Sequence, residues 1–339
     1  MKLLDGIARN NFVVIGRAGV DLVPEPPGTR TEEMVALSAN IGGSAANTAI
    51  GICKFGGKAA LVTSVSDDSL GRFCLRQLDH YGVGRSHVRS VRGEYRTSLA
   101  VYESRLEDHQ TVLYRNGAAD FQMTDADVEA VDYASYGALI TAGTVFAAEP
   151  SRSAAFRAFE LAAAAGVPII FDVDYRPYSW PSAEVAAEVL SRAAAHCDMI
   201  VGNDEEFAFM AGDGGNITGR GLAMARDLGS KKAAIVVYKM GPEGAITFAG
   251  DAEIHTGIYK VKALKPTGAG DSFMAGLLSS LAAGFDLETA LLRGSACAAI
   301  TVTRPACAPA MPKPDELEAF ISTHPRPACE RKTDAHPSV

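Results

Sequence analysis

The chain has 339 residues, of which 47% are hydrophobic and 21% are charged, with 32 Lys and Arg against 40 Asp and Glu. A chain of this size buries a core without disulfides or metal, and its net charge of −8 argues against nucleic-acid binding. Apolar runs are too short for a membrane span, and charged residues interrupt any signal peptide near the start. The six cysteines are scattered without a CxxC pair, so we expect reduced thiols and a cytoplasmic protein.

Short β-like runs alternate with longer helical patterns along most of the chain. The first half predicts strands at 12–15, 59–65 and 138–141, and helices at 43–54, 69–81 and 151–165. The second half predicts strands at 168–172, 199–201 and 233–238, and helices at 183–195, 219–228, 272–283 and 287–299. This alternation indicates a parallel sheet covered by helices on both faces.

Residues 95–117 differ from this pattern, because apolar and polar side chains alternate on both sides of a polar turn at 106–110. The pattern predicts an antiparallel ribbon, which could form a small sheet together with 21–39. Such a sheet has edges to cover, so we expect a lid, a dimer contact or both. From about residue 323 the Pro-rich, charged composition predicts a disordered tail, 323–339.

The strongest chemical signal is KPTGAGDS at 265–272, which runs directly into an apolar helix. Gly268, Ala269 and Gly270 would present free N–H groups and the positive end of the helix dipole to an anion such as phosphate. The carboxylate of Asp271 would repel that phosphate. Its presence is explained if it accepts the proton of an attacking hydroxyl. The alternative is that Asp271 only caps the helix. The segment is not a Walker A loop, because GxxxxGK[ST] is absent.

A second helix start rich in small residues is NIGGSAANTA at 40–49. Gly42 and Gly43 would allow a ligand to approach closely, and Asn47 could bond its hydroxyls. By itself, this pattern more often reflects tight packing of the helix on the sheet.

Together, GGSAANTA and TGAGDSF resemble the two signatures of the PfkB (ribokinase-like) family of sugar kinases, and the likeness extends over about residues 10–322. The resemblance implies a three-layer α/β domain with a mostly parallel central sheet, spanning 1–322, and a small β lid from about 20–40 and 92–118. It implies ATP and Mg²⁺ as cofactors and Asp271 as the catalytic base. The apolar strand faces of the lid need to be covered, which suggests a homodimer formed through the lid. The net charge and the short apolar runs predict no nucleic-acid or membrane partner.

The resemblance further assigns residues to the nucleotide. NDEE at 203–206 matches a motif that helps position Mg²⁺, with Glu206 acting through water, and KMGPEGA at 239–245 resembles the nucleotide-binding turn. The alternatives are a capped acidic helix start and a plain Gly-Pro turn. The implied nucleotide-binding residues are Asn203, Lys239, Gly241, Gly244 and Thr267.

Two further segments resemble kinases for keto-deoxy sugar acids. DVDYRPYSW at 172–180 places Arg176 near the phosphoryl group or the acid, with Asp174 where those kinases have Asn, and YRNGAAD carries Arg115. A planar guanidinium suits a carboxylate because it can bind two oxygens at once. The alternatives are a surface ion pair for Arg176 and a loop carboxylate for Asp21. The implied substrate-binding residues are Asp21, Gly42, Gly43, Asn47, Arg115 and Asp174, with Arg176 assisting catalysis.

The family's usual Asp-Thr before GAGD is replaced here by Lys265, Pro266 and Thr267. The resemblance implies a monovalent-cation (K⁺) site beside this turn, but the acidic residue is missing. LKPTGAGDSF and CAPAMP resemble members of this family that phosphorylate the 6-hydroxyl of a six-carbon keto-deoxy acid, so the resemblance implies this reaction. The alternatives are a 2-keto-3-deoxygluconate kinase, a fructokinase, or a catalytically inactive sugar-binding or regulatory protein with the same fold. A dinucleotide-dependent oxidoreductase is disfavoured, since no GxGxxG follows the first strand.

Overall fold

The computed structural model describes residues 2–214, 217 and 219–333. Within them the strands are β1 Asn11–Ile15, β2 Gly19–Glu25, β3 Ala36–Gly42, β4 Lys58–Ser66, β5 Gly84–Val91, β6 Leu99–Tyr102, β7 Thr111–Tyr114, β8 Ala138–Ala142, β9 Ile169–Asp172, β10 Met199–Asn203, β11 Ile235–Lys239, β12 Ala245–Ala249, β13 Ala252–Thr256 and β14 Cys329–Thr333. The α-helices are α1 Leu3–Ala8, α2 Ser44–Lys54, α3 Ser69–Tyr81, α4 Asp125–Glu129, α5 Ser151–Ala164, α6 Ala183–Ala194, α7 Asp204–Met210, α8 Gly219–Gly229, α9 Ala269–Ala282, α10 Leu287–Val302 and α11 Pro314–Thr323.

The main sheet of the described chain has the order β14-β13-β12-β11-β10-β9-β8-β1-β4-β5. Its strands run parallel from β5 to β11, and the last three pair antiparallel. Alternate side chains of a strand point to opposite faces, and β1 divides accordingly between two cores. Val13 and Ile15 pack with α5 and α6, whereas Phe12 and Val14 pack with α2 and α9. The predicted three-layer α/β fold is confirmed.

Helix α3 shows why several elements could be predicted with accurate bounds. The Asp68 carboxylate accepts the N–H groups of Leu70 and Gly71 at the start, and Gly82 ends the helix in the left-handed region at φ +75°. Both signals are local, since a carboxylate cap and a C-terminal glycine act within one turn of the helix.

The tail prediction is wrong for its described part. Residues 329–333 form β14, which pairs antiparallel with β13, and Arg331 makes an ion pair of 2.6 Å with Glu288 of α10. Because each of these contacts joins segments far apart in sequence, the composition of the tail did not reveal them. Residues 334–339 lie outside the described residues.

The second sheet has the order β3-β2-β6-β7, and the predicted ribbon is its β6–β7 pair. Residues directly opposite each other in a sheet share a face. One such row is Leu113, Ala100, Asp21 and Asn40, and the next row on the other face is Val112, Val101, Leu22 and Ala39. The sheet therefore has one face with Asp21 and one apolar face.

In the described part of the chain, no helix is long and apolar enough to cross a membrane.

Candidate active site

A cavity of about 710 Å³ lies between the small sheet and the main sheet. Residues at or just beyond the carboxyl ends of β1, β9, β10 and β11 line it, which is where open α/β sheets bind ligands. All of the sequence-predicted site residues except Gly42 line this cavity: Asp21, Gly43, Asn47, Arg115, Asp174, Arg176, Asn203, Glu206, Lys239, Gly241, Gly244, Thr267, Gly268, Ala269, Gly270 and Asp271. Gly42 adjoins it through its contact with Asp21.

The N-terminus of α9 opens into the cavity. Gly268 is the N-cap, in the left-handed region at φ +83°, and the first turn contains Ala269, Gly270 and Asp271. The first N–H groups of a helix have no partner within it, so this turn presents free donors and positive dipole to the cavity. A Cβ on Gly268 would lie 3.1 Å from the Cβ and Sγ atoms of Cys307, so both conformation and space favour glycine.

Asp271 does not cap α9. The capping position belongs to Gly268, and the carboxylate of Asp271 instead accepts a hydrogen bond of 2.9 Å from Nδ2 of Asn47. Asn47 lies in α2, so this bond joins the two helix starts that the sequence singled out. Burial, together with the charge of Asp174, raises the pKa of Asp271 to about 6, although Asn47 and Arg176 oppose the shift.

An acidic cluster lies next to Asp271 at the edge of the main sheet. It contains Asp172, Asp174 and Glu206, with the cations Arg176 and Lys239 around it. Burial raises the pKa of Asp172, whereas Arg176, at 2.7 Å from Oδ1 of Asp174, holds the pKa of Asp174 below its ordinary value despite burial. Sequence reasoning missed Asp172, although its position at the end of a buried strand was a usable signal.

Asn203 and Glu206 form a reciprocal cap at the start of α7. Glu206 N–H donates to Oδ1 of Asn203 at 2.8 Å, and Asn203 N–H donates to Oε2 of Glu206 at 2.7 Å. Tyr175 N–H donates to Oε1 of Glu206 at 3.3 Å. The capping alternative is therefore present, and the carboxylate keeps lone pairs for contacts through water.

One half of the cavity surrounds the turn after β11. Lys239 projects toward the start of α9, where a Cβ on Gly270 would lie 3.5 Å from its Nζ. Gly244 has φ +95°, and a Cβ there would lie 1.9 Å from the carbonyl oxygen of Thr256, so only glycine fits. Residues that the sequence did not reveal complete this half: Thr256, Gly257, Ile258, Ser295 and Ala298.

Asp21 marks the other half, below the small sheet. A Cβ on Gly42 would lie 1.9 Å from Oδ1 of Asp21, so this glycine makes room for the carboxylate. Burial raises the pKa of Asp21 to about 6, although Arg17, a hydrogen bond with Cys307 and Lys265 oppose the shift.

Two arginines border this half. Arg115 is buried, with Nη2 donating to Oδ2 of Asp120 at 2.5 Å and to the Thr144 carbonyl at 3.0 Å. Its Nη1 has no partner among the described residues. Arg17 was missed from the sequence; its Nη1 bonds the Ser98 hydroxyl at 3.3 Å, and its buried Nε lacks a partner in the same described set.

Fold and site together define a carbohydrate kinase. Residues 9–314 match the model of the pfkB family carbohydrate kinases. The chain belongs to this family, whose members phosphorylate a sugar hydroxyl. The chain is 34% identical over 324 residues to the 5-dehydro-2-deoxygluconokinase of Geobacillus kaustophilus (strain HTA426), covering 95% of this chain and 96% of that protein.

Two solved structures extend the comparison. A PfkB protein from Polaromonas sp. JS666 has 28% identity and a TM-score of 0.75, covering 88% of this chain and 98% of that one. A double-mutant fructokinase from Vibrio cholerae O395, in a form with bound fructose, ADP and potassium ion, has 25% identity and a TM-score of 0.79, covering 91% of this chain and 97% of that one.

Proposed function

We propose that this protein transfers the γ-phosphoryl group of ATP to the 6-hydroxyl of 5-dehydro-2-deoxy-D-gluconate, a step of myo-inositol degradation. The observation that carries the proposal is the similarity to a 5-dehydro-2-deoxygluconokinase along more than nine-tenths of both chains. The guanidinium groups of Arg17 and Arg115, in the half of the cavity below the small sheet, support an anionic substrate.

Asp271 is the proposed base. Its carboxylate accepts the proton of the 6-hydroxyl as that oxygen forms a bond to the γ-phosphorus. The bond from phosphorus to the oxygen bridging to the β-phosphate breaks, and ADP leaves with that electron pair. Asn47 fixes the carboxylate through the 2.9 Å bond, so the base is oriented before the substrate arrives.

Charge stabilisation comes from groups arranged around Asp271. The N–H groups at the start of α9 are placed to receive the oxygens of the transferring phosphoryl group, and Lys239 and Arg176 add positive charge. These groups are held by the fold, so they need little reorganisation during the reaction.

The acidic cluster is suited to Mg²⁺ bound mainly through water. Among the described residues no three carboxylates or other ligating side chains form a closed metal site, which fits an ion that keeps most of its waters. Asp172 and Glu206 are the proposed contacts, with Asn203 positioning Glu206. Bound there, Mg²⁺ would neutralise phosphate charge.

For the sugar acid, we assign the carboxylate to Arg17 and Arg115 and the hydroxyls to Asp21 and Asn47. In the part of the chain that the structure describes, one buried nitrogen of each arginine lacks a hydrogen-bond partner, and so does the Oδ1 atom of Asn47. A buried polar atom without a partner costs free energy, which a substrate carboxylate or hydroxyl would recover. Gly43, at φ +100°, keeps the backbone clear beside Asn47.

The test is ATP consumption by purified protein with Mg²⁺ on 5-dehydro-2-deoxygluconate, 2-keto-3-deoxygluconate, fructose and ribose. We expect the highest kcat/KM for the first. Preference for fructose, which is supported by the fructokinase similarity, would contradict the carboxylate assignment. Turnover of none of the four would favour an inactive sugar-binding protein.

A paired variant separates sugar acids from neutral sugars. Arg17→Gln removes the charge but keeps a donor, and we expect it to lower kcat/KM for the sugar acid by about tenfold to a hundredfold. Fructose lacks a carboxylate, so its residual turnover should change much less. An equal loss on both substrates would contradict the assignment of Arg17.

Assembly and location complete the proposal. We propose a homodimer formed through the apolar face of the small sheet, on which Leu37, Val112 and Tyr114 are exposed. The six cysteines are unpaired, which supports a reducing, cytoplasmic compartment.

A further inference from the structure

Lys265 is a fully buried lysine three residues before the N-cap of α9. Its ammonium donates a hydrogen bond to the carbonyl oxygen of Thr267, and its backbone N–H bonds the carbonyl of Val302 at 3.2 Å. Within residues 2–214, 217 and 219–333, no carboxylate makes an ion pair with it. Its positive charge is therefore enclosed by the protein without a contacting counter-charge.

Burying an ammonium without an ion pair is costly, so the group needs compensation from its surroundings. Burial lowers the pKa of Lys265, whereas Cys307, Asp21 and Asp271, which all line the cavity, favour its protonated form. Residues 266–271 line the cavity, but Lys265 itself does not. The ammonium thus lies behind the wall that presents N–H groups to phosphate.

From that position the ammonium can act on the phosphate without touching it. Its bond to Thr267 holds the residue that precedes Gly268, whose left-handed conformation directs the following N–H groups into the cavity. A fixed charge in a poorly solvated region also raises the positive potential at the start of α9. Lys265 is therefore a positioning residue rather than a catalytic one.

A bound potassium ion does not fit the phosphate-binding turn, residues 265–270. The Thr267 carbonyl already accepts the ammonium, the residues just before Asp271 include no carboxylate, and a second cation beside a buried ammonium would be repelled. The fructokinase structure with potassium bound shows that a protein of this fold can hold such an ion. The family resemblance implied K⁺ here, and the position of the Lys265 ammonium argues against that ion.

We propose that Lys265 is a built-in monovalent cation, whose ammonium supports the phosphate-binding turn and makes phosphoryl transfer by this protein independent of added K⁺. The proposal rests on the kinase reaction and does not depend on which sugar is phosphorylated. It adds the ammonium of Lys265, which does not line the cavity, to the charged groups that do.

The first test uses the unmodified protein. Steady-state kcat and KM for ATP are measured with potassium chloride and then with tetramethylammonium chloride at equal ionic strength, since tetramethylammonium is too large to enter the turn. We expect both parameters to agree within about twofold, because the lysine supplies the charge internally. Stimulation by K⁺ of about tenfold or more would overturn the proposal.

The second test removes the charge. We expect Lys265→Ala to raise KM for ATP and to lower kcat by about a hundredfold, as for loss of one charge-stabilising group. K⁺, ammonium or methylammonium should restore part of the activity relative to tetramethylammonium, because a small cation can enter the vacated space. Unchanged kinetics in this variant would overturn the proposal, and so would a loss that none of the three cations relieves in folded protein.

Lys54 offers a matched control. Its ammonium also binds backbone carbonyls, those of Ala308 at 3.0 Å, Pro309 at 3.1 Å and Met311 at 2.5 Å, but neither Lys54 nor these three partners line the cavity. Lys54→Ala should lower the Tm without making KM for ATP depend on the cation. A cation dependence equal to that of Lys265→Ala would overturn the specific role of Lys265.

Binding experiments keep this inference separable from the sugar assignment. Titration calorimetry of ATP with Mg²⁺ is carried out without sugar, in potassium and in tetramethylammonium buffers. We expect equal affinity in both buffers for the unmodified protein and tighter binding in potassium for Lys265→Ala. If no sugar is turned over, these affinities still decide the proposal, and a potassium requirement in the unmodified protein would refute it.

Discussion

At the scale of single residues, Asp271 combines two opposing requirements. A carboxylate next to a phosphate site is repelled by its neighbours, and its pKa of about 6 reflects burial and the charge of Asp174. The bond from Asn47 keeps it oriented without neutralising it. A base needs this combination, because its pKa must be low enough for the carboxylate to be ionised and high enough for it to accept a proton from the hydroxyl.

We predict that Asp271→Asn lowers kcat by about 10² to 10⁴ with little change in sugar or ATP binding, because the amide keeps the shape but accepts no proton. Steady-state kinetics and titration calorimetry measure the two effects separately. The variant should stay folded, and its Tm near pH 8 should equal or exceed that of the unmodified protein. The reason is that a carboxylate with a raised pKa destabilises the fold once it ionises. Activity within a few-fold of the original would contradict the base assignment.

The same pKa predicts a limb on the acid side of the pH profile. Protonated Asp271 cannot accept a proton, so kcat/KM for the sugar should fall as pH decreases through about 6. Asp21 has a pKa raised to a similar value and, if its charge is needed for sugar binding, should steepen the same limb. The profile is measured from pH 5 to 9 for the unmodified protein and for Asp21→Asn, which should show the shallower limb. A flat profile down to pH 5 would contradict both assignments.

At the scale of elements, local signals predicted the helices better than the edge of the sheet. Asp68 and Gly82 define both ends of α3 within the helix's own sequence. By contrast, the strand at 329–333 is stabilised by pairing with β13, more than seventy residues earlier, and composition alone suggested disorder. The site follows the same rule: the glycines of both helix starts were visible, whereas the role of Arg17 depends on Ser98, in another segment.

We predict that deleting residues 329–339 lowers the Tm by several degrees while kcat stays within about twofold. The deletion removes the strand paired with β13, but it retains Ala328, whose carbonyl accepts the Gly257 N–H at 2.9 Å beside the cavity. Thermal unfolding and steady-state kinetics test the two parts.

Arg331→Ala is the matched control for this deletion. It removes the partly exposed ion pair with Glu288, which contributes about 1 kcal/mol or less, and leaves the backbone pairing of β14 in place. Its Tm should therefore change much less than that of the deletion variant. An equal shift in both would mean that the ion pair, rather than strand pairing, stabilises this edge.

At the scale of the whole molecule, the two faces of the small sheet differ in what they contact. Its inner face carries Asp21, Ala100 and Leu113 toward the cavity, and its outer face is apolar. Six of the exposed large hydrophobic side chains of the described chain belong to this sheet or its connections: Met34, Val35, Leu37, Leu106, Val112 and Tyr114. Exposed apolar side chains gathered on one small sheet and its connections are typical of a protein interface, and a second copy would present the same surface.

We predict that the protein is a dimer and that Leu37→Asp combined with Val112→Asp makes it monomeric. The two side chains are 42% and 40% exposed on the edge strands β3 and β7, so a dimer of the double variant would have to bury four added carboxylates. Light scattering coupled to size-exclusion chromatography measures the mass of each variant. Leu4→Asp is the control, because Leu4 is 55% exposed but lies on α1, away from the sheet, and should leave the dimer intact. Since the inner face of the same sheet holds Asp21, the monomer should also show a higher KM for the sugar. An unmodified protein that is monomeric at micromolar concentration would refute the interface, as would a double variant that remains dimeric.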